Sequence, residues 1–176
     1  MTNRKSKSIL VAILLMLAVS WSPAAAPVPR RSPELKFFDA AGREVLLSSF
    51  KGKVVVVEFL FVRSQHCMSV AQTINRLNGE LGPHGLQAIG VVFGPDGNGA
   101  AVSRVAQALQ LSYPLGYTTA SQVDAFLGRQ GNETLNIPQI VVIDRTGMIR
   151  AQNGVRYDPD LENEESLRRL LNGLLR

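Results

Sequence analysis

Residues 50–61 read Phe-Lys-Gly-Lys-Val-Val-Val-Val-Glu-Phe-Leu-Phe, and this stretch decides the fold. From Val54 to Phe61 every residue is β-branched, aromatic or leucine except Glu58, and a glycine lies just before the run. Such a run is apolar on both faces. It therefore predicts a central, buried strand of a mostly parallel sheet.

Strand and helix patterns alternate on either side of this strand. The helical spacing over residues 64–81 places Val70, Ile74, Leu77 and Leu81 on one apolar face. The helix at 121–127 has Ser121 as its candidate N-cap. We predict an α/β fold with a central mixed sheet flanked by helices and an N-terminal β-hairpin extension. The other predicted strands are 35–38, 44–47, 86–92, 115–117, 139–144 and 148–151, and the other predicted helices are 100–109 and 164–175. The first two of these strands would form the N-terminal hairpin, and the short turn at 145–147 predicts a second antiparallel hairpin between the last two.

The composition excludes several classes of protein. The 176 residues are 45% hydrophobic and 19% charged, as in one globular domain. A single cysteine excludes an internal disulfide, an iron–sulfur cluster and an all-cysteine zinc site, so we expect no metal and no cofactor. The net charge is +5, but residues 27–176 carry 16 basic against 14 acidic residues. This small excess of basic residues is too low to predict a nucleic-acid-binding surface.

The first 26 residues have the order of a secretory signal. Basic residues between Arg4 and Lys7 precede an apolar run at 9–19 and three alanines at 24–26. The run is shorter than the roughly 20 residues that span a bilayer. We expect a signal peptide at 1–26, with an uncleaved N-terminal anchor as the alternative and the only membrane contact. A proline-rich linker at 27–34 would then lead to an exported domain at 35–176, in the periplasm or another extracytoplasmic space.

Two motifs resemble those of thioredoxin-like proteins. Residues 50–59 are similar to the stretch that leads into the catalytic motif, with the best match in the exported TlpA/ResA and AhpC/TSA redoxin group. Residues 135–147 (LNIPQIVVIDRTG) resemble the second signature of that group: a cis-proline, a strand, an aspartate and a turn glycine. The resemblance implies a thioredoxin-like fold over residues 35–176 and a place in the thiol-disulfide oxidoreductase/antioxidant family. It also implies that Ile137 and Pro138 shape a substrate groove.

The chain departs from this group at the catalytic motif. Where the family has Trp-Cys-x-x-Cys, residues 63–67 read Arg-Ser-Gln-His-Cys, so Ser64 stands at the first cysteine position and Cys67 at the second. Thiol–disulfide exchange needs an exposed attacking thiolate and a second, resolving thiol. A serine hydroxyl is too weak an acid to replace the thiolate. The resemblance therefore implies that dithiol chemistry is lost and that Cys67 is left for monothiol reactions with a thiol- or disulfide-containing protein or a small thiol.

Three catalytic roles follow from the resemblance. Cys67 would lie in the first turn of a helix, where the helix dipole favours a thiolate. His66 corresponds to the histidine that lowers the pKa of the first cysteine in oxidising relatives. Glu58 corresponds to a buried carboxylate that assists proton transfer, and its charge would leave Cys67 only modestly acidic. The alternatives are a Glu58 that meets water at a strand end, a solvated His66 and an inert, buried Cys67.

Two other functions use the same residues. Ser64 and Cys67 also fit the Thr/Ser-x-x-Cys pattern of a one-cysteine peroxiredoxin, in which the cysteine reduces peroxide. That family has a proline seven residues before its cysteine, where this chain has Leu60, and an arginine beside the later strand that this chain lacks. The third hypothesis is a non-catalytic binding module that holds a peptide beside Pro138. The reaction partner of Cys67, which is a disulfide, a peroxide or nothing, distinguishes the three.

Overall fold

A computed structural model describes residues 26–129, 135–154 and 160–176. Within these ranges the chain forms one eight-stranded sheet and four α-helices. The predicted signal peptide lies outside the described residues apart from Ala26. The strands are β1 (Arg30–Arg31), β2 (Lys36–Phe38), β3 (Glu44–Leu46), β4 (Val54–Leu60), β5 (Leu86–Val92), β6 (Leu115–Tyr117), β7 (Gln139–Ile143) and β8 (Met148–Gln152). The helices are α1 (Gln65–Leu81), α2 (Gly99–Leu109), α3 (Ala120–Leu127) and α4 (Glu164–Leu175).

The sheet has the strand order β1-β8-β7-β4-β5-β6-β2-β3. Strand β4 pairs in parallel with β5 and antiparallel with β7, so that Val57 lies opposite both Ile89 and Val141. The two predicted hairpins are present as the antiparallel pairs β2–β3 and β7–β8. The prediction of a mostly parallel sheet is wrong. Both faces of β4 are covered by helices and loops, and this burial makes a strand apolar throughout whichever way its neighbours run.

Alternate side chains of β4 enter different halves of the core. Val55, Val57 and Phe59 pack with α3 on one face of the sheet. Val54 and Val56 pack with α1 and α4 on the other face. Because successive side chains of a strand point to opposite faces, Glu58 belongs to the face that α1 covers.

The helix starts are capped by polar side chains. Ser64 caps α1, Asn98 caps α2 and Asn163 caps α4, and each side chain accepts a hydrogen bond from a backbone N–H of the first turn. Helix α3 begins at Ala120, and its cap is Thr119 rather than the predicted Ser121. Both residues carry a hydroxyl, so the sequence pattern alone did not separate them.

Part of the predicted linker at 27–34 belongs to the sheet. Arg30 and Arg31 form β1, which pairs antiparallel with β8. The Arg30 guanidinium donates to the carbonyl oxygen of Phe126 at 3.0 Å and to Oε1 of Gln152 at 2.7 Å. Strand pairing and these two bonds fix a segment whose composition is typical of a linker. Among the described helices, none is both long and apolar enough to cross a bilayer.

One glycine of the sheet has no room for a side chain. A Cβ on Gly116 in β6 would lie 2.6 Å from the Phe38 carbonyl oxygen and would also clash with the Phe37 ring. We predict that Gly116→Ala lowers the free energy of unfolding by about 1–3 kcal/mol in urea titrations. Gly79→Ala is the control, since Gly79 is exposed in α1 with nothing within 4 Å. It should raise stability by about 0.5–1 kcal/mol, and equal effects of the two changes would contradict the packing.

Candidate active site

The candidate site lies where β4 ends and α1 begins. Phe61 follows the last residue of β4. Among the described residues it is the large hydrophobic side chain that is exposed, with 38% of its surface accessible. Its ring packs against that of Phe93 with 4.7 Å between the ring centroids. Arg63 pairs with Asp96 at 2.9 Å between Nε and Oδ2. The approach to the helix start is therefore an aromatic surface beside an exposed ion pair.

Ser64 occupies the cap position of α1. Its backbone is extended, and its Oγ accepts a hydrogen bond from the Cys67 N–H at 3.2 Å. This bond satisfies one of the backbone donors that a helix start leaves unpaired. The Ser64 side chain, for which the resemblance implies the first cysteine position, is half-buried. Here it instead stabilises the helix.

Cys67 is completely buried, with 0% of its surface exposed. It packs in a small apolar cluster formed by β4, β5, β6 and α2, whose buried members include Leu60, Val92 and Val105. Burial raises the pKa of the Cys67 thiol, and a charge on Glu58 raises it further. The Ser64 hydroxyl and the Phe61 backbone oppose this rise only in part. The burial of Cys67 therefore works against the modestly acidic thiol that the resemblance implies.

Glu58 is also completely buried, so it does not meet water at a strand end. Among the described residues neither of its carboxyl oxygens has a hydrogen-bond partner. Burial is the largest cause that raises the pKa of Glu58 from 4.5 to about 8. The nearby hydroxyl of Tyr113 acts to lower this pKa, and the charge of Glu162 acts to raise it. An unpaired carboxylate is costly in an apolar interior, so the group takes up a proton at neutral pH.

His66 is exposed and is bonded to a residue far away in sequence. Its Nε2 lies 2.7 Å from Oε2 of Glu162, just before α4. The other oxygen of Glu162 accepts from Nδ2 of Asn153 at 3.1 Å, and Oδ1 of Asn153 accepts from the Ile140 N–H at 3.2 Å. His66 thus links the start of α1 to β7 and to the segment before α4. The resemblance implies that His66 acts on the group at the first motif position, and here its imidazole is bonded to Glu162 instead.

The second motif lies beside the buried thiol. The peptide bond between Ile137 and Pro138 is cis. Ile137 is half-buried against the cluster that holds Cys67, whereas Pro138 is buried. Of the predicted site residues, the structure therefore places Ser64, Cys67 and Ile137 together. Glu58 is close enough for its charge to raise the pKa of Cys67, whereas His66 is bonded to Glu162.

Sequence reasoning missed Tyr113, Asn153 and Glu162. The Tyr113 hydroxyl donates to the Ala71 carbonyl oxygen at 3.3 Å, and burial followed by the Glu58 charge raises its pKa. Asn153 and Glu162 form the hydrogen-bonded link to His66. All three lie far from residues 58–67 in sequence, and no spacing rule singles them out. In the part of the chain that the structure describes, no three metal-ligating side chains group together.

Comparison with known proteins identifies the family. The profile of the AhpC/TSA family matches residues 28–152, which is more than half of the chain. The chain belongs to the AhpC/TSA family. No curated protein sequence matches this AhpC/TSA protein.

Solved structures of similar shape establish the fold. A thiol:disulfide interchange protein of the thioredoxin family from Chlorobium tepidum TLS is 20% identical with a TM-score of 0.68, covering 86% of this chain and 100% of that one. A thiol:disulfide interchange protein from a Bacteroides species is 18% identical with a TM-score of 0.68, covering 85% and 90%. The thioredoxin domain of a thiol-disulfide oxidoreductase from Bacteroides vulgatus is 17% identical with a TM-score of 0.68, covering 86% and 100%. The predicted thioredoxin-like fold, a mixed sheet flanked by helices, is confirmed.

The buried carboxyl of Glu58 predicts a pH-dependent stability. Between about pH 4.5 and pH 8 the folded protein keeps a proton on Glu58 that the unfolded chain has released. Rising pH over this range therefore lowers the free energy of unfolding, by up to about 1.4 kcal/mol per pH unit from this group, and the loss levels off above pH 8. Glu58→Gln should remove this part of the slope.

Urea unfolding of both proteins at several pH values in this range measures the effect. Glu44→Gln is the matched control, because Glu44 is an exposed carboxylate paired with Lys36. Equal slopes in the wild type and Glu58→Gln would show that Glu58 is ionised in the folded protein.

Proposed function

We propose that this protein is an exported, thioredoxin-like member of the thiol-disulfide oxidoreductase/antioxidant family that has lost dithiol exchange. Cys67 is left for slow, monothiol capture of a thiol- or disulfide-containing partner. The observation that carries the proposal is the geometry of the motif, in which the Ser64 hydroxyl caps the helix above a fully buried Cys67. The chain has no other cysteine.

The loss of dithiol exchange follows from the order of the chemical steps. In a two-cysteine motif, the exposed thiolate attacks a partner disulfide and releases one partner thiolate. The second thiol then attacks the mixed disulfide and frees the partner. Here the accessible position carries a hydroxyl, which does not ionise near neutral pH. The attack on a partner disulfide therefore lacks a nucleophile at the surface. The resolution of a mixed disulfide within the chain lacks a second thiol.

A monothiol reaction through Cys67 remains chemically complete. The Cys67 thiolate would attack a partner disulfide, form one sulfur–sulfur bond with the partner and release the other partner sulfur as a thiolate. An external thiol would later reverse the step. Because Cys67 is buried and its pKa is raised, this capture requires an opening at the start of α1 and is slow.

Export is supported by the N-terminal sequence pattern. A basic stretch, an apolar run and small residues occupy positions 1–26 in the order of a secretory signal. An unpaired cysteine in an oxidising compartment is normally reactive or sheltered. The burial of Cys67 fits the second condition.

The one-cysteine peroxidase is less well supported. A peroxidatic cysteine needs access to peroxide and a nearby cation that favours the thiolate. Cys67 has 0% exposure. Arg63, the cation nearest to it in sequence, pairs with Asp96.

Non-covalent binding is a second candidate, because the same burial of Cys67 favours it. Phe61 presents an exposed ring next to the motif. An adjacent cavity of about 380 Å³ is lined in part by Val62, Met68 and Val105. An apolar side chain of a peptide partner could occupy this surface without any reaction at sulfur.

Restoring the first cysteine tests the assignment of Ser64. Ser64→Cys should reduce insulin disulfides with a dithiol reductant at least about tenfold faster than the wild type, which should stay at background. The reason is that a thiol at the helix cap is half-exposed and has Cys67 below it as the resolving thiol. The controls are Ser64→Ala and the double variant Ser64→Cys/Cys67→Ala, both expected at background. A wild type as active as Ser64→Cys would show that the motif is wrongly aligned.

The accessibility of Cys67 separates capture from simple binding. We expect iodoacetamide to label Cys67 in the folded chain at least about tenfold more slowly than in the denatured chain, but measurably. Non-reducing electrophoresis from the native host should then show a thiol-sensitive band heavier than the monomer, absent in Cys67→Ala. Labelling seen only after denaturation, with no such band, would remove monothiol capture and leave non-covalent binding.

A further inference from the structure

A second cavity lies at the other end of β4 from Cys67. It has a volume of about 330 Å³, within the range of small-molecule sites. Its walls come from the end of β1, the turn before β4, β4 itself and the turn between β7 and β8. Its apolar floor is formed by buried side chains, namely Leu47, Val55 and Ile143, with Phe50 beside them. We call this cavity the basal cleft.

The basal cleft has more basic than acidic side chains around it. The two acidic groups are already engaged. Asp144 accepts hydrogen bonds from the turn that follows it and pairs with Arg150 at 2.5 Å. Glu34 accepts from the backbone N–H groups of Leu35 and Ser48. The charged side chains around the cleft are Arg31, Lys51, Lys53, Arg145, Glu34 and Asp144.

Two of the four basic side chains are also engaged. The Arg145 guanidinium donates to the carbonyl oxygens of His84 and Leu175 at 3.1 and 3.0 Å. The Lys53 ammonium donates to Oε1 of Gln87 at 3.2 Å. Both groups are therefore turned toward protein acceptors.

Arg31 and Lys51 are different, because within the described ranges neither side chain has a hydrogen-bond or ion-pair partner in the protein. They come from separate segments, β1 and the turn before β4, and line the same cavity. Two uncommitted cations therefore border an apolar floor. This combination complements a molecule with one anionic group and one apolar body.

We propose that the basal cleft binds a small amphiphilic anion, an aliphatic or aromatic acid whose apolar part lies over Leu47, Val55 and Ile143. Its acidic group pairs with Arg31 and Lys51. A metal cation is disfavoured by the same positive charges, and two cations are too few for a nucleic acid backbone.

This site is separate from the thiol site. Strand β4, Val54–Leu60, separates the two sites by roughly 20 Å at about 3.3 Å per residue. The proposal does not depend on the reactivity of Cys67.

Octanoate is a suitable probe, and NMR of the ¹⁵N-labelled full chain locates where it binds. Octanoate below its micelle concentration should shift the amide signals of Ser32, Gly52 and Gly147, which line the cleft. Octyltrimethylammonium, with the same tail and the opposite charge, should leave them unchanged. The double variant Arg31→Gln/Lys51→Gln should weaken octanoate binding by about tenfold.

The matched control is Arg104→Gln/Arg176→Gln, which removes two exposed cations outside the cleft and should retain the wild-type affinity. Three results would each overturn the proposal. They are no octanoate-induced shift at the cleft amides, equal shifts with octyltrimethylammonium, and equal weakening in the control variant.

Discussion

The burial of β4 on both faces is the constraint on which the rest of the structure depends. A strand with helices on each face must be apolar throughout, and it must be paired along both edges to satisfy its backbone. Strand β5 satisfies one edge and β7 the other. The chain leaves this layer at Phe61, so the direction of β4 decides where α1 begins and which residues cap it.

One residue of β4 violates this rule, and its environment explains the chemistry of the site. Glu58 has no hydrogen-bond partner among the described residues and lies on the face that α1 covers. In that low-dielectric space a carboxylate, a tyrosine hydroxyl and a thiol all favour their neutral forms. The pKa values of Glu58, Tyr113 and Cys67 are all raised, with burial as the largest cause. All three side chains therefore favour their protonated forms.

Ser64 has a structural role at the start of α1. A helix start needs an acceptor for its unpaired N–H groups, and serine is among the best residues for that purpose. The Ser64 hydroxyl provides that acceptor, because it accepts a hydrogen bond from the Cys67 N–H. Ser64 is thus a structural cap at the start of α1. The cis peptide between Ile137 and Pro138 remains beside it.

The sequence alone predicted the elements that depend on local pattern. The buried run of β4, the apolar face of α1 and the β7–β8 hairpin follow from the spacing of apolar residues and turn glycines, and the structure has them at nearly the predicted bounds. The motif around Ser64 and Cys67 was also visible, because its spacing is contiguous.

Only the tertiary structure decided what depends on packing between distant segments. Strand β7 pairs antiparallel with β4, although a mostly parallel sheet was expected, and two residues of the expected linker form β1. Cys67 proved fully buried, and the His66 imidazole proved to be bonded to Glu162. The physical reason is that desolvation and ion pairing depend on which side chains are close together in space. Residues 58, 67, 113 and 162 are distant in sequence and come close only in the folded chain.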